Sequence, residues 1–360
     1  MHLKRSLMLL SLALMLAMGV PVWAQGDGTE EPSDQADDHL GGATEFARAD
    51  EPTDVILMLD WTPNANHLGF YAAQALGYYD DANLSVEFQE PSDIQVEALV
   101  ANGVADFGVS FQEFATYAIA GGTPVVSLAA IIQHNTSGFV SIADMHPIST
   151  PADMAGLRYG GFGQPDLENA ILNTLLACDG AEPDSVEYVN VGYVDLIQLM
   201  QQDRIDLAWI FYGVQGVQAE LSGVDLDAVM MMDYFDCVPD YYTPILITGP
   251  DMVEQQPDVV AAFVQATARG YAYAIDHPDE AANMLLEAVP ELDSDLIHAG
   301  AEWLAPEFQS DAPRWGEQQA SVWQGYTDFL VDNGILESGI DAGAAFTNAF
   351  LPGTVPAESD

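Results

Sequence analysis

The sequence predicts an α/β protein of two lobes, each a mostly parallel sheet flanked by helices, with a helical C-terminal segment. Three observations carry this. Short apolar, β-branched runs alternate with helix-patterned runs between residues 55 and 248, as βαβ units require. From Pro257 onward the pattern turns almost wholly helical. The part of the chain rich in Leu, Val, Ile and aromatics, about 300 residues, is long enough for two sizeable cores.

Val55 to Leu59 opens the series as a strand over 55–60. It breaks at Asp60-Trp61-Thr62-Pro63-Asn64, all but Trp61 being residues that favour a turn or a helix start, and an aromatic-rich helix is expected over 67–77. Further strands are expected at 84–88, 106–110, 125–131, 137–142, 157–162, 186–191, 207–212, 228–234 and 244–248. Helical stretches at 93–101, 112–120, 167–177, 193–202 and 214–221 fall between them. The tail reads as helices over 258–276, 278–288, 294–303, 314–333 and 342–349. In it Phe263, Ala266, Thr267, Gly270 and Tyr271 recur at helical spacing as a core stripe, and Trp303, Trp315 and Trp323 read as packing residues. Ser141-Ile142-Ala143 and Thr243-Pro244-Ile245 are the expected crossing points. Lobe one is then 53–142 plus 243–352, lobe two 143–242, and 353–360 a tail.

The start of the chain reads as a secretory signal over 1–24. Lys4 and Arg5 precede an apolar core, Leu7 to Met18, and Val22-Trp23-Ala24 offers a small-residue cleavage site near Ala24. No cysteine follows that core, so no lipoprotein attachment site is present. Residues 25–52 are poor in apolar side chains and rich in acidic and small ones, which predicts a disordered spacer.

With 56 acidic and 7 basic residues the formal charge is −49, and the acids are scattered along the whole chain. Such a surface repels itself at low ionic strength and is relieved by salt, so a salt-adapted extracytoplasmic protein is expected. Too few cations remain to neutralise phosphates, which excludes nucleic acid as a partner. Cys178 and Cys237 are the only cysteines and have no metal spacing around them. A disulfide between them suits an oxidising compartment, but spacing alone does not say whether they meet.

Candidate ligand contacts gather where strands give way to helices, the edge at which open α/β sheets bind ligands. Trp61 offers a flat face, Asn64 and His67 donors and acceptors, and Tyr71 a further ring on the following helix. Gly160-Gly161-Phe162-Gly163-Gln164-Pro165-Asp166-Leu167-Glu168 also joins a strand to a helix, without GxGxxG or a P-loop lysine. Its carboxylates repel an anion. Glu168 either complements the helix dipole or accepts two hydrogen bonds from an amine-bearing heterocycle. In Asp206-Leu207-Ala208-Trp209-Ile210-Phe211-Tyr212-Gly213, Trp209 and Phe211 share one strand face and Tyr212 the other. Trp61 facing Trp209 or Tyr212 would clamp a flat ring. Tyr241 and Tyr242 at the return crossing, and Gln112 and Glu113 after the strand ending at Ser110, are weaker candidates, since such residues also cap helices. No GxSxG, HExxH or metal-spaced histidine cluster appears.

Trp61-Thr62-Pro63-Asn64-Ala65-Asn66-His67-Leu68-Gly69 resembles the W-T-P-N-x-N-H-x-G signature of the THI5-like (NMT1/SsuA-like) periplasmic solute-binding proteins. Similar blocks follow at Ile131 to Gly138, Asp206 to Gly213, Asp240 to Pro244 and Ala345 to Pro352. Within that family the chain looks most like the formylaminopyrimidine-binding components of thiamin-precursor ABC importers. The resemblance implies a type II two-lobed binding fold that closes by a hinge. It also implies a small heteroaromatic ligand, an ABC permease with its ATPase as partner, a monomer and no cofactor. Riboflavin is the alternative ligand. Pyrimidine synthases of the same family need a Schiff-base lysine and a cysteine-rich motif. The only lysine here is Lys4, inside the expected signal, and the cysteine motif is missing.

Overall fold

The computed structural model describes residues 39–91, 95–192 and 194–353. The expected signal peptide with its cleavage site, residues 25–38 of the spacer, and 354–360 of the tail lie outside the described residues.

Every expected strand forms. In chain order they are β1 (Thr53–Met58), β2 (Leu84–Gln89), β3 (Phe107–Ser110), β4 (Val126–Ala130), β5 (Ser137–Ile142), β6 (Arg158–Gly161), β7 (Glu187–Asn190), β8 (Leu207–Phe211), β9 (Leu226–Met230) and β10 (Ile245–Thr248). They make two five-stranded sheets, ordered β2-β1-β3-β10-β4 and β7-β6-β8-β5-β9. Each sheet is parallel except for its fourth strand. β10 runs antiparallel between β3 and β4, and β5 antiparallel between β8 and β9. The reversed strand is in both cases the first one laid down after the chain changes sheet, so the crossings dictate the two exceptions.

That pairing corrects the outgoing boundary. β5 belongs to the second sheet, so the chain crosses at 131–136, ahead of Ser137, and not at Ser141 to Ala143. The apolar run over 137–142 is buried on both faces and would read the same in either sheet.

Residues 39–52 also depart from the expected spacer. Leu40 and Ala49 are buried in the first core. The Ala47 N–H donates to Gln265 Oε1 at 2.6 Å and the Trp315 N–H to the His39 carbonyl at 3.0 Å. The Arg269 guanidinium lies over the rings of Phe46 and Tyr78. A few well-placed apolar and aromatic contacts dock a segment whose average composition is polar.

Alternation along β1 sends Val55 and Leu57 to one core and Ile56 and Met58 to the other, so the first sheet is covered on both faces. The long helix Pro257–Asp276 supplies Phe263 and Tyr271 to the larger of these cores, where Tyr271 stacks on Trp315. In the second sheet Trp209 and Phe139 face one core, and Ile210 and Tyr212 the other.

The tail differs in two places. The helix expected over 314–333 begins only at Ala320, because Gly316 takes φ +85° and bridges Ala130 of the first sheet. Residues 342–349 form turns and a bridge from Phe346 to Ser127 in place of a helix. Helix Ala320–Asp332 spans the two lobes: Trp323 packs in a core of the first, Tyr326, Phe329 and Leu330 in a core of the second. Cys178 and Cys237 are joined in a disulfide that ties the end of helix Pro165–Cys178 to the segment before the return crossing. Among the described residues no helix is long and apolar enough to cross a membrane.

Candidate ligand cleft

The carboxyl end of β3 in the first sheet meets that of β8 in the second. Phe111, directly after β3, stacks on Phe211 at the end of β8, with centroids 5.7 Å apart and planes 20° off parallel. Phe114 meets Phe111 edge-on at 5.6 Å. In lobe two Phe162 lies 5.7 Å from Trp209. On another side of the interface Gly213, just past β8, approaches helix Ser294–Leu304 so closely that a Cβ would lie 2.7 Å from Leu304. A larger residue there would have to push the Leu304 and Trp303 side chains aside. Phe111 and Phe114 were missed in the sequence, and Phe162 and Phe211, although inside the quoted motifs, were not picked as contacts; Phe111 and Phe162 directly follow strands and Phe211 ends one.

The WTPN turn is built to present Trp61. Asn64 caps the turn that follows, its Oδ1 accepting the Asn66 N–H at 2.9 Å and its Nδ2 donating to the Thr62 carbonyl. His67 is buried and fully used. Its Nδ1 accepts the Asn64 N–H at 3.2 Å, which leaves the Nε2 proton to bridge 2.6 Å to Asp60 Oδ1. Asp60, Asn64 and His67 thus lock the loop, and Trp61 stands 55% exposed at its tip. Asn64 and His67 were expected to touch ligand; their polar atoms are bonded within the turn.

Other expected contacts are also engaged elsewhere. Tyr71 packs edge-on against Phe88 in the first core, away from the aromatic cluster, and burial pushes its hydroxyl up to about 12. Tyr242 is buried, with its hydroxyl accepting the Gln319 N–H at 2.8 Å. Tyr212 sits at the strand end, its ring 5.6 Å from Trp303 and its hydroxyl donating to Glu220 at 2.6 Å. Trp209 is buried beside Phe139 and donates from Nε1 to Ser137 Oγ at 2.7 Å. Tyr242, Tyr212 and Trp209 thus have their polar atoms bonded within the protein.

Glu168 has no exposed surface. Oε2 accepts the Tyr159 hydroxyl at 2.7 Å and the Phe162 N–H at 3.0 Å, and Oε1 the Gln164 N–H at 2.7 Å and the Tyr188 hydroxyl at 3.0 Å. Four donors fill the acceptor positions of a carboxylate. Glu168 therefore holds the Phe162–Gln164 loop, and no lone pair remains for an amine.

A group of open polar atoms lies in lobe one, on the helical turn after β3. Gln112 gives Oε1 to the Tyr242 N–H at 2.8 Å, which leaves Nε2 without a partner. Glu113 Oε2 and Thr116 Oγ1 are likewise buried and unpartnered. Desolvation pushes the Glu113 carboxyl up to about 8, and the nearby Glu97 adds to the rise. Buried polar atoms are rarely left unsatisfied, and three of the ten unpartnered ones among the described residues fall on this one helical turn.

Two cavities of about 310 and 180 Å³ lie apart from these rings, one lined by Met145 and Val224, the other by Tyr78 and Arg269. His146, Asp203 and Asp206 lie close enough to share an ion, but Arg158 already pairs with both carboxylates at 2.5 Å.

The family described as NMT1/THI5 like matches residues 64–281. A formylaminopyrimidine-binding protein of Halalkalibacterium halodurans is 28% identical over 312 residues, covering 85% of this chain and 93% of that one. A 4-amino-5-hydroxymethyl-2-methylpyrimidine phosphate synthase of Legionella pneumophila is 29% identical over 304 residues, covering 83% and 93%. Among solved structures, the periplasmic aliphatic sulphonate binding protein SsuA of Escherichia coli superposes with a TM-score of 0.61 at 15% identity, covering 86% of this chain and 96% of that one. The two-sheet architecture is that of these binding proteins.

Proposed function

Since the chain belongs to the NMT1/THI5-like family, we propose that it is the extracytoplasmic substrate-binding component of an ABC importer. It captures a thiamin pyrimidine precursor, formylaminopyrimidine or hydroxymethylpyrimidine, between its lobes and delivers it to a permease with its ATPase. The observation that carries this reading is the pairing of rings from both sheets at the interface with unpartnered buried polar atoms beside them. A flat heterocycle needs both, faces to stack on and edge groups to bond. The lobes part at the Phe111–Phe211 stack to admit it, and Trp61 closes over it from the mouth of lobe one.

A binding protein and a synthase are about equally similar to the chain, and it is the sequence itself that supports this reading over catalysis. A synthase that uses a Schiff-base lysine has no candidate in residues 5–360. Export after cleavage near Ala24, a monomeric state and a surface adapted to salt belong to the same proposal. Salt adaptation requires the melting temperature to climb steeply up to about 1 M salt, where the Debye length has shrunk to roughly 3 Å.

The test is thermal. Either pyrimidine, added in excess over its Kd, should raise the melting temperature by binding the native state alone. Native mass spectrometry of gently purified protein should show a retained mass of pyrimidine size. A flavin mass, or stabilisation by riboflavin but by neither pyrimidine, replaces the ligand in this proposal.

A further inference from the structure

Resting on the interlobe cleft as the ligand site, we propose that Glu113 sets its specificity. The occupied site holds one proton shared between Glu113 and the ligand, so uncharged or cationic heterocycles are accepted and phosphate, sulfonate and carboxylate ligands are refused.

Glu113 stands at the second position of helix Gln112–Ala120, 7% exposed, with Oε2 unpartnered. The groups that act on it come from every side and none is cationic. Glu97, on helix Val96–Ala101, takes the Ser110 hydroxyl and adds negative charge. Tyr117 comes from the same helix as Glu113, Tyr241 from the return crossing, and Tyr326 from helix Ala320–Asp332. All three are neutral phenols whose own ionisation is raised, and the Tyr326 hydroxyl is itself unpartnered. The arginines are engaged elsewhere or exposed. Arg48 donates to Asn83, Arg158 pairs with Asp203 and Asp206, Arg269 with Asp81, and Arg314 with Glu317, while Arg204 lies on an exposed turn.

A buried carboxyl with no cation keeps its proton. In that form its O–H donates to a ring nitrogen while its carbonyl accepts an exocyclic amine N–H. If the proton moves to the ring, a carboxylate faces a cation across the same two hydrogen bonds, so the complex carries one proton either way. An anionic ligand would instead bring a second negative charge to a buried site that has no positive one.

The experiment is calorimetry with the signal-free chain and hydroxymethylpyrimidine, at pH 7 and pH 9, in buffers of different ionisation enthalpy. Binding should exchange almost no protons at pH 7 and take up nearly one at pH 9. Glu113→Gln should lose that uptake and bind about tenfold or more weakly. The phosphate ester of the same pyrimidine should bind the native chain about 100-fold more weakly than the alcohol. Absence of uptake in the native chain at pH 9, the same uptake in the variant, or equal binding of the ester overturns the proposal. If only riboflavin binds, the proton count is made with it: uptake at pH 9 upholds Glu113 while the pyrimidine reading fails, and its absence ends both. Infrared difference spectra of the empty proteins at pH 7 need no ligand. A carboxylic-acid carbonyl band lost in Glu113→Gln is expected, and no such band refutes the assignment.

Discussion

At the ends of β6 and β3 the chain does the same thing: a strand stops, the backbone turns, and a glutamate enters the first turn of a helix. In lobe two that glutamate, Glu168, is bonded by Tyr159, Tyr188 and two backbone N–H groups. In lobe one Glu113 is also buried, with an oxygen left open. One carboxylate completes its own wall; the other keeps an unpartnered oxygen. Position at a helix N-terminus is therefore a poor guide to ligand contact, and the supply of donors is the better one. Lobe two is finished in a further sense, because the helix that Glu168 opens is stapled at its far end by the disulfide, whereas helix Gln112–Ala120 has no such tie.

The largest expected effect tests that staple. Replacing Cys178 and Cys237 by Ser frees a sequence separation of 59 residues. Loop-closure entropy puts the loss of stability at about 4 kcal/mol. The melting temperature should fall while affinity, measured below the transition, stays near its original value. A large loss of affinity at intact stability would mean that the cleft, rather than lobe two alone, depends on the bond.

Next in size is the contrast between the glutamates. Glu168→Gln replaces one acceptor oxygen by a donor facing two N–H or O–H groups, and should cost about 2–3 kcal/mol of stability in the empty protein. Glu113→Gln should act with the opposite sign. The folded-state pKa of Glu113, raised to about 8 from 4.5, makes its share of stability fall as pH rises from 4.5 through 8. Removing the ionisable group should abolish that decline and leave the variant more stable at pH 8 than the native chain. The comparison collapses if thermal melts show both variants destabilised alike, or if Glu168→Gln costs affinity alone.

The difference between these two residues also marks how far the sequence could be read. The strands were legible because apolar runs such as Val55 to Leu59 and Leu207 to Phe211 need no partner to declare themselves. The fate of Glu168 was not, because its donors come from Tyr159, nine residues back, and from Tyr188, across the sheet on β7. The same reason hid the disulfide, whose cysteines approach only after lobe two folds, and the docking of residues 39–52, which depends on Arg269, Tyr78 and Gln265 far along the chain. The WTPN turn was legible as a strand-to-helix turn, but its polar residues bond within it and frame Trp61.

Trp61→Ala examines that frame. With the ring 55% exposed, its loss should leave the empty protein's melting temperature nearly unchanged. Affinity should fall by about 1–3 kcal/mol, since a stacking anchor is removed. Calorimetry showing native affinity would restrict Trp61 to the surface and leave Phe111 and Phe211 as the stacking pair.

The smallest effect concerns the crossings that both lobes share. His134, on the outgoing one, bridges 2.6 Å from Nδ1 to Asp240 Oδ2 on the return, and 3.0 Å from Nε2 to Asp311. Asp240 Oδ1 also accepts the N–H groups of Asn135 and Tyr241, so one carboxylate holds both strands. The bond to Asp240 outweighs partial burial and raises the imidazole to about 9 from 6.5. A basic group shifted this way contributes fully below pH 6.5, loses its contribution as pH rises toward 9, and gives nothing above. Part of the pair is solvated, Asp311 being 82% exposed, so the contribution should stay below about 1 kcal/mol. His134→Gln should therefore flatten the fall in stability between pH 6.5 and 9 and change nothing above it. The Glu113 decline overlaps this window with the same sign, so the measurement belongs in a Glu113→Gln background, where only the imidazole titrates across the crossing. If the slope from pH 6.5 to 9 survives both substitutions, the clasp is not its origin, and the crossings are held by backbone bonds such as those of Asn135 to Asp240 and Ile131 to Pro244.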